Sequence, residues 1–153
     1  MSLAEQLVSD LRDAMKSGDT QRRDVIRFLR SSITNAEIEK HSALTDEEIE
    51  AVIRGQIKQR RDSIEMFRKG GRNDLADNEE AQVAVLQSYL PAQMSDDEAQ
   101  ELVRRVVDEV GVTSPKEMGK LMSALMQAAA GRVEGRTLST LARADLERRS
   151  TSA

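Results

Sequence analysis

The 153-residue chain has no cysteine and no tryptophan, and it contains one histidine, one tyrosine and two phenylalanines. Without cysteine, the chain has no disulfide bonds, no thiolate zinc or iron–sulfur sites and no cysteine nucleophile. Because His41 is the only histidine, a His-rich metal site is excluded and a Ser-His-Asp triad is disfavoured. Glycine-rich phosphate loops are absent as well. The sequence therefore predicts no metal site, no cofactor and no catalytic residue.

Long apolar runs are also missing. No run approaches the ~20 residues of a membrane-spanning helix. The segment MSLAEQLVSDLRDAM is amphipathic and mixed in charge, unlike a secretory signal peptide. The formal net charge of −4 disfavours nonspecific coating of nucleic acid but is compatible with a local basic patch. These features predict a cytoplasmic protein that has no membrane partner.

What the sequence does contain is typical of an all-α protein, with 33% charged residues and only 2% aromatic residues. At four places a Ser or Thr precedes a Glu by three positions, as in a helix capping box, and glycines follow the ends of the periodic segments. The spacing of apolar residues predicts seven helices, over residues 2–17, 20–40, 45–69, 74–90, 95–110, 115–130 and 137–149.

A domain boundary is predicted near Pro91. The residue before a proline is disfavoured in the helical conformation, so the fourth helix should end there, and Ser95 begins a new capping box. We expect residues 1–94 to form an elongated helical bundle and residues 95–153 to form a compact three-helix domain. A domain as small as the second buries little surface, so we expect it to pack on the bundle or on a partner.

Two charged residues fall on apolar helix faces. Arg60 lies in the angular sector of the isoleucines of the third helix, and Glu79 lies among the apolar residues of the fourth. A buried charge is tolerated when it is paired. The pattern therefore predicts an Arg60–Glu79 ion pair, and the alternative is that both side chains extend to the edge of the bundle.

Basic residues form two candidate phosphate sites. Lys58, Arg61, Arg68 and Arg72 lie beside the apolar face of the third helix, either as a solvated face with local ion pairs or as a phosphate-binding strip. The loop over residues 131–136 has two glycines and two arginines and leads into a helix N-terminus, which suits phosphate capture. The alternative is an ordinary glycine-containing loop between helices.

Two stretches of the sequence resemble a known family. They are KQRRDSIEMFRKGGRNDLADNEEAQVAVLQSYLPAQMSDDE, at residues 58–98, and MGKLMSALMQAAAGRVEGRTLSTL, at residues 118–141. Both resemble the YqeY-like proteins of bacteria, and the resemblance covers nearly the whole chain. From about Ser95 onward the chain is also similar to the C-terminal tail domain found in the tRNA-dependent amidotransferase. In that enzyme, which amidates misacylated Glu-tRNA(Gln) or Asp-tRNA(Asn), the tail is understood to hold the tRNA.

The resemblance implies that Lys120, Arg132 and Arg136 contact the tRNA backbone, because the matching elements are the start of the sixth helix and the loop over residues 131–136. The chain has no counterpart of the cradle that activates the substrate carboxylate with ATP and magnesium in that enzyme. We therefore expect a non-catalytic module that binds tRNA or an enzyme that aminoacylates or modifies tRNA. The alternatives are a component of a glutamine-dependent carbon–nitrogen ligase complex and a protein–protein adaptor.

Overall fold

The computed structural model describes residues 1–151, and within that range the chain is α-helical with one short 3₁₀ turn and no β-strand. The all-α class predicted from the sequence is therefore confirmed. The helices are α1 (Leu3–Ser17), α2 (Thr20–Lys40), α3 (Asp46–Lys69), α4 (Asn73–Gln87), α5 (Asp96–Val110), α6 (Met118–Ala129) and α7 (Gly135–Thr151), and the 3₁₀ turn spans Pro115–Glu117. No helix within residues 1–151 is both long enough and apolar enough to cross a membrane.

Three of the four predicted capping residues, Ser2, Thr45 and Ser95, cap their helices as predicted. The fourth predicted capping box is wrong, because the Ser114 hydroxyl accepts the Lys116 N–H and not the Glu117 N–H. Complete capping boxes begin α1 at Ser2 and α3 at Thr45, where the cap hydroxyl accepts an N–H from the first turn and the glutamate three residues on returns a bond. At Ser95 the hydroxyl accepts the Glu98 N–H and donates to the carboxylate of the same residue. These caps satisfy backbone donors that a helix N-terminus would otherwise leave without a partner.

Two predicted helix ends are wrong by three residues, and the seventh helix, predicted over 137–149, extends two residues further at each end. The fourth helix ends at Gln87, three residues before the predicted end at Leu90, because the chain tightens into a turn in which the Leu90 N–H bonds the Gln87 carbonyl. The sixth helix begins at Met118 and not at Pro115, because the Glu117 N–H bonds the Ser114 carbonyl and closes a tighter 3₁₀ turn first, while the Ser114 hydroxyl accepts the Lys116 N–H. Proline allows both geometries, so the sequence pattern could not separate them.

The chain divides into two compact units, residues 1–90 and 91–153. In the first unit, α1 to α4 enclose one apolar core, in which the largest fully buried side chains are Leu7, Ile26, Leu29, Ile49, Ile53 and Leu86. The α3–α4 connection requires a left-handed residue, and Gly71 supplies it with φ of 73°. Helices α3 and α4 therefore run as a hairpin and place Arg60 opposite Glu79.

The second unit has its own apolar core. Helices α5, α6 and α7 all contact one another, and α7 also packs against the 3₁₀ turn. The largest fully buried side chains of this core are Val103, Val107, Leu121, Leu125, Leu138 and Leu146. The apolar face of each helix is covered by the other two, and the charged side chains of the unit lie on its surface except for Asp145, which is buried.

A polar network fastens the end of α4 inside the first unit. The Tyr89 hydroxyl donates to Asp10 Oδ2 at 2.6 Å, and Arg22 Nη2 donates to the same hydroxyl at 3.3 Å. The Arg22 guanidinium also lies 5.9 Å from the centre of the Tyr89 ring. Burial, followed by the hydrogen bond to Asp10, raises the pKa of Tyr89 to about 12.

This network predicts a loss of stability in alkali. An unfolded tyrosine has a pKa of about 10, so the higher folded value of about 12 means that the folded state holds the phenol proton more tightly. The resulting stabilisation is complete below the unfolded pKa and is lost as the pH rises through the folded pKa. Urea unfolding followed by helical circular dichroism should therefore show stability falling across this interval, and Tyr89→Phe should flatten that fall.

Because the chain has one tyrosine, the absorbance of its phenolate reports the pKa of this residue alone. Asp10→Asn should lower the folded pKa, because the phenolate would no longer face a carboxylate. A folded chain whose tyrosine titrates like free tyrosine would contradict the network.

A candidate phosphate-binding site in the second unit

Arg132, in the loop between α6 and α7, is bonded within the chain. Its Nε donates to the Ala92 carbonyl at 2.8 Å, and its Nη2 lies 3.7 Å from Glu98 Oε2. Its backbone carbonyl also accepts the Met94 N–H at 2.9 Å. Arg132 therefore holds the segment that precedes α5 against the α6–α7 loop, and its guanidinium is engaged on two sides.

Lys120 and Arg136 are placed differently. Both side chains are exposed, and neither makes an ion pair or a side-chain hydrogen bond with any residue that the structure describes. Lys120 lies in the first turn of α6, and Arg136 lies in the first turn of α7, where unbonded backbone N–H groups favour an anion. Of the three predicted contacts, two therefore point into solvent with their charge uncompensated.

Two further basic residues of the second unit are also exposed and without an ion pair among the described residues. Lys116 lies in the 3₁₀ turn four residues before Lys120, and Arg143 lies seven residues after Arg136 on the same face of α7. Both are exposed and make no side-chain ion pair within residues 1–151. We call these four residues, Lys116, Lys120, Arg136 and Arg143, the unpaired cations.

The other arginines of the second unit are paired with carboxylates. Arg104 lies 3.3 Å from Glu101, and Arg105 lies 3.8 Å from Glu109. Arg149 lies 2.6 Å from both Asp108 and Asp145, and these hydrogen bonds raise the pKa of the Arg149 guanidinium. The unpaired cations are therefore a distinct subset of the basic residues in this unit.

Two of the four residues of the basic strip predicted on the third helix, Arg68 and Arg72, are engaged with acids. Arg68 lies 2.9 Å from Glu80 and 3.1 Å from Asp77, and these hydrogen bonds raise its pKa. Arg72 precedes α4 and donates to Asp74, which lowers the pKa of that carboxyl. Lys58 and Arg61 are exposed, and Lys58 makes no ion pair among the described residues. The geometry of Arg68 and Arg72 matches the alternative of a solvated face with local ion pairs.

The predicted Arg60–Glu79 pair is confirmed, with Nη1 and Oε2 separated by 3.0 Å. The same Nη1 also donates to Gln82 Oε1, and the guanidinium lies 6.0 Å from the centre of the Phe28 ring. The side chains of Arg60 and Glu79 are 17% and 22% exposed, so the pair lies at the edge of the core and is not fully enclosed. The two side chains therefore form the predicted ion pair and also extend to the edge of the bundle, as the alternative proposed.

Sequence reasoning missed Phe28, whose side chain is 56% exposed on α2. Phe28 precedes Leu29 in the sequence but is not one of the buried residues of α2, which are Val25, Ile26, Leu29 and Ile33. An aromatic residue displaced from the apolar face of an amphipathic helix was the available signal. Within residues 1–151, no group of three or more acidic or histidine side chains is arranged to hold a metal ion.

These observations define a class of protein: an all-helical chain of two units, whose second unit carries exposed basic residues without acidic partners. The model of the Yqey-like protein family matches residues 4–146. The chain therefore belongs to the YqeY-like family, as the two sequence stretches had predicted.

Relatives of this chain are found in fungi. Altered inheritance of mitochondria protein 41, mitochondrial, of Pyrenophora tritici-repentis is 35% identical over 126 residues, which are 78% of this chain and 69% of the relative. The protein of the same name in Lachancea thermotolerans is 39% identical over 85 residues, or 55% of this chain and 46% of the relative. In Eremothecium gossypii the identity is 35% over 92 residues, or 56% and 48%. The matched region spans about half the length of the last two relatives.

The comparisons contradict the predicted cytoplasmic location, because these relatives are named as mitochondrial proteins. That prediction rested on the mixed charge of the chain, the missing membrane span and the missing secretory signal. Those properties belong to a folded helical domain in any aqueous compartment. They therefore could not discriminate between the cytoplasm and the mitochondrion.

Proposed function

We propose that this chain is a non-catalytic module that binds tRNA through the second unit. The observation that carries the proposal is the set of unpaired cations, whose charge no carboxylate within residues 1–151 compensates. Phosphate contacts from Lys and Arg release counterions from RNA and supply most of the affinity that does not depend on sequence. An enzyme that acts on the same tRNA is a compatible further partner.

The positions of the unpaired cations suit contacts with the sugar–phosphate backbone of tRNA. Lys116 and Lys120 lie on one segment, Arg136 and Arg143 lie on α7, and α7 packs against the 3₁₀ turn that contains Lys116. These two pairs of charges, on neighbouring elements, are the contacts that we propose to phosphates of the tRNA. Arg136 also adds its guanidinium to the positive end of the α7 dipole.

Arg132 has a supporting role in this proposal. Because its guanidinium is bonded to the Ala92 carbonyl and lies near Glu98, it has less capacity to bind phosphate than Arg136. We expect it to hold the loop that leads into α7. The tRNA contacts proposed here are thus Lys120 and Arg136 from the family resemblance, joined by Lys116 and Arg143.

The chain has a net charge of −4, so attraction must come from the local set, and long-range steering of tRNA should be weak. Fluorescence anisotropy of labelled tRNA, titrated with the full chain at several salt concentrations, tests the proposal. Four phosphate contacts predict a slope of about −3 for log affinity against log salt. Binding that is absent at low salt, or that does not weaken with salt, would contradict it and would favour the protein–protein adaptor.

A further inference from the structure

The first unit contains a second candidate site, separate from the unpaired cations. Helices α2, α3 and α4 enclose an open cleft of about 380 Å³, a volume within the usual range for small-ligand sites. Its lining includes Gln21, Asp24, Phe28, Arg60, Asn78 and Gln82. The lining combines amide side chains with Phe28, one of only three aromatic residues in the chain.

The amide groups of the cleft are oriented by hydrogen bonds within the chain. Gln21 Nε2 donates to Asn78 Oδ1 at 3.1 Å, and Arg60 Nη1 donates to Gln82 Oε1. Both carbonyl oxygens are therefore engaged. The NH₂ groups of Asn78 and Gln82 make no hydrogen bond with the described residues, and neither does Gln21 Oε1. The cleft thus presents two amide donors and one amide acceptor.

Asp24 supplies a second acceptor. Arg23 Nε donates to its Oδ1 at 2.9 Å, whereas Oδ2 makes no hydrogen bond within residues 1–151. The local charges are balanced, because Asp24 pairs with Arg23 and Arg60 pairs with Glu79. A cleft with balanced charge and oriented polar groups favours a neutral ligand with its own donors and acceptors over a simple anion.

Phe28 gives the cleft a flat apolar surface. Its side chain is 56% exposed although it is large and aromatic, and the Arg60 guanidinium lies 6.0 Å from its ring centre. Planar rings stack on aromatic side chains and on guanidinium groups. The combination of a stacking surface with adjacent donors and acceptors is the chemistry that recognises a nucleobase edge.

We infer that this cleft binds a single nucleobase, with guanine preferred. The Asn78 and Gln82 amides can donate to the acceptors of guanine at O6 and N7, and Asp24 Oδ2 can accept from its ring N–H. The base can belong to a free nucleotide or to an unpaired position of an RNA chain. One aromatic ring serves one base, so the inference does not require the array of rings found in proteins that stack along single strands.

Chemical-shift changes in the isotope-labelled full chain, titrated with guanosine monophosphate to millimolar concentration, test the inference. We expect the side-chain amide signals of Gln21, Asn78 and Gln82 to shift, with weaker binding of adenosine, cytidine and uridine monophosphates. Ribose 5-phosphate is the control for phosphate binding and should leave these signals in place. Phe28→Leu should weaken guanosine monophosphate binding on the order of tenfold, the scale of base–aromatic stacking.

Ile38→Ala is the matched control, because Ile38 is 65% exposed on the same helix and does not line the cleft. Both substitutions are at exposed positions, and circular dichroism checks that each variant is folded. Tighter binding of the oligoribonucleotide UUGUU than of guanosine monophosphate would identify an unpaired RNA base as the ligand, and equal or weaker binding would identify the free nucleotide. Unmoved amide signals, equal shifts with ribose 5-phosphate, or unchanged binding in Phe28→Leu would each overturn the inference.

Discussion

Arg60→Ala is expected to lower the free energy of unfolding of the first unit by about 2–3 kcal/mol. The substitution leaves Glu79 and the Gln82 carbonyl without their shared donor, and it removes the cation–π contact with Phe28. A fully enclosed pair would cost more, about 3–5 kcal/mol. The smaller value follows because the Arg60 and Glu79 side chains are 17% and 22% exposed, which lets water reach the abandoned groups.

Tyrosine fluorescence during urea unfolding measures this loss, because the only tyrosine of the chain lies in the first unit and tryptophan is absent. Glu79→Ala should also destabilise the unit, and the double variant should lose less than the sum of the two single losses. Arg68→Ala is the matched control on the same helix. Its exposed pairs with Asp77 and Glu80 should contribute much less. Additive losses at residues 60 and 79 would show that the two side chains are energetically independent.

The Arg60–Glu79 pair could be predicted because it depends on local periodicity and one short connection. Each residue occupies a core-facing angle on its own helix, and the turn that contains Gly71 returns α4 along α3. Glycines and capping residues act within a few positions in the same way, so most helix bounds were predictable. The two bounds misplaced by three residues, at Gln87 and Met118, depend on the choice between α-helical and tighter turns, which differ by one hydrogen-bond partner.

The state of each basic residue in the candidate site could not be predicted from the sequence. Arg132 and Arg136 flank the same short stretch, yet Arg132 bonds a carbonyl 40 positions earlier in the chain and Arg136 bonds no acid among the described residues. Likewise, Tyr89 and Asp10 are 79 positions apart. Such contacts depend on the three-dimensional path of the chain, whereas helical periodicity reports only which side of one helix a residue occupies.

Glutamine at all four unpaired cations is expected to weaken tRNA binding on the order of a hundredfold near physiological salt. The slope of log affinity against log salt should fall in magnitude by roughly 0.7–0.9 for each lost contact. Because phosphate contacts do not read sequence, the order of preference among different tRNAs should stay the same. The four positions are exposed and unpaired, so the unfolding transition should change little.

A matched pair of double variants separates the site from net charge. The first double variant combines Lys120→Gln with Arg136→Gln, and the second combines Arg104→Gln with Arg105→Gln. Both change the charge of the second unit equally, but Arg104 and Arg105 are paired with Glu101 and Glu109. The first double variant should reduce the salt slope by roughly 1.5, and the second should reduce it far less. Arg132→Gln should reduce the salt slope by less than the loss of one unpaired cation and by more than the loss of Arg104 or Arg105, since the Arg132 guanidinium is bonded to the Ala92 carbonyl. Equal losses in the two double variants would mean that overall charge, and not the unpaired cations, determines binding.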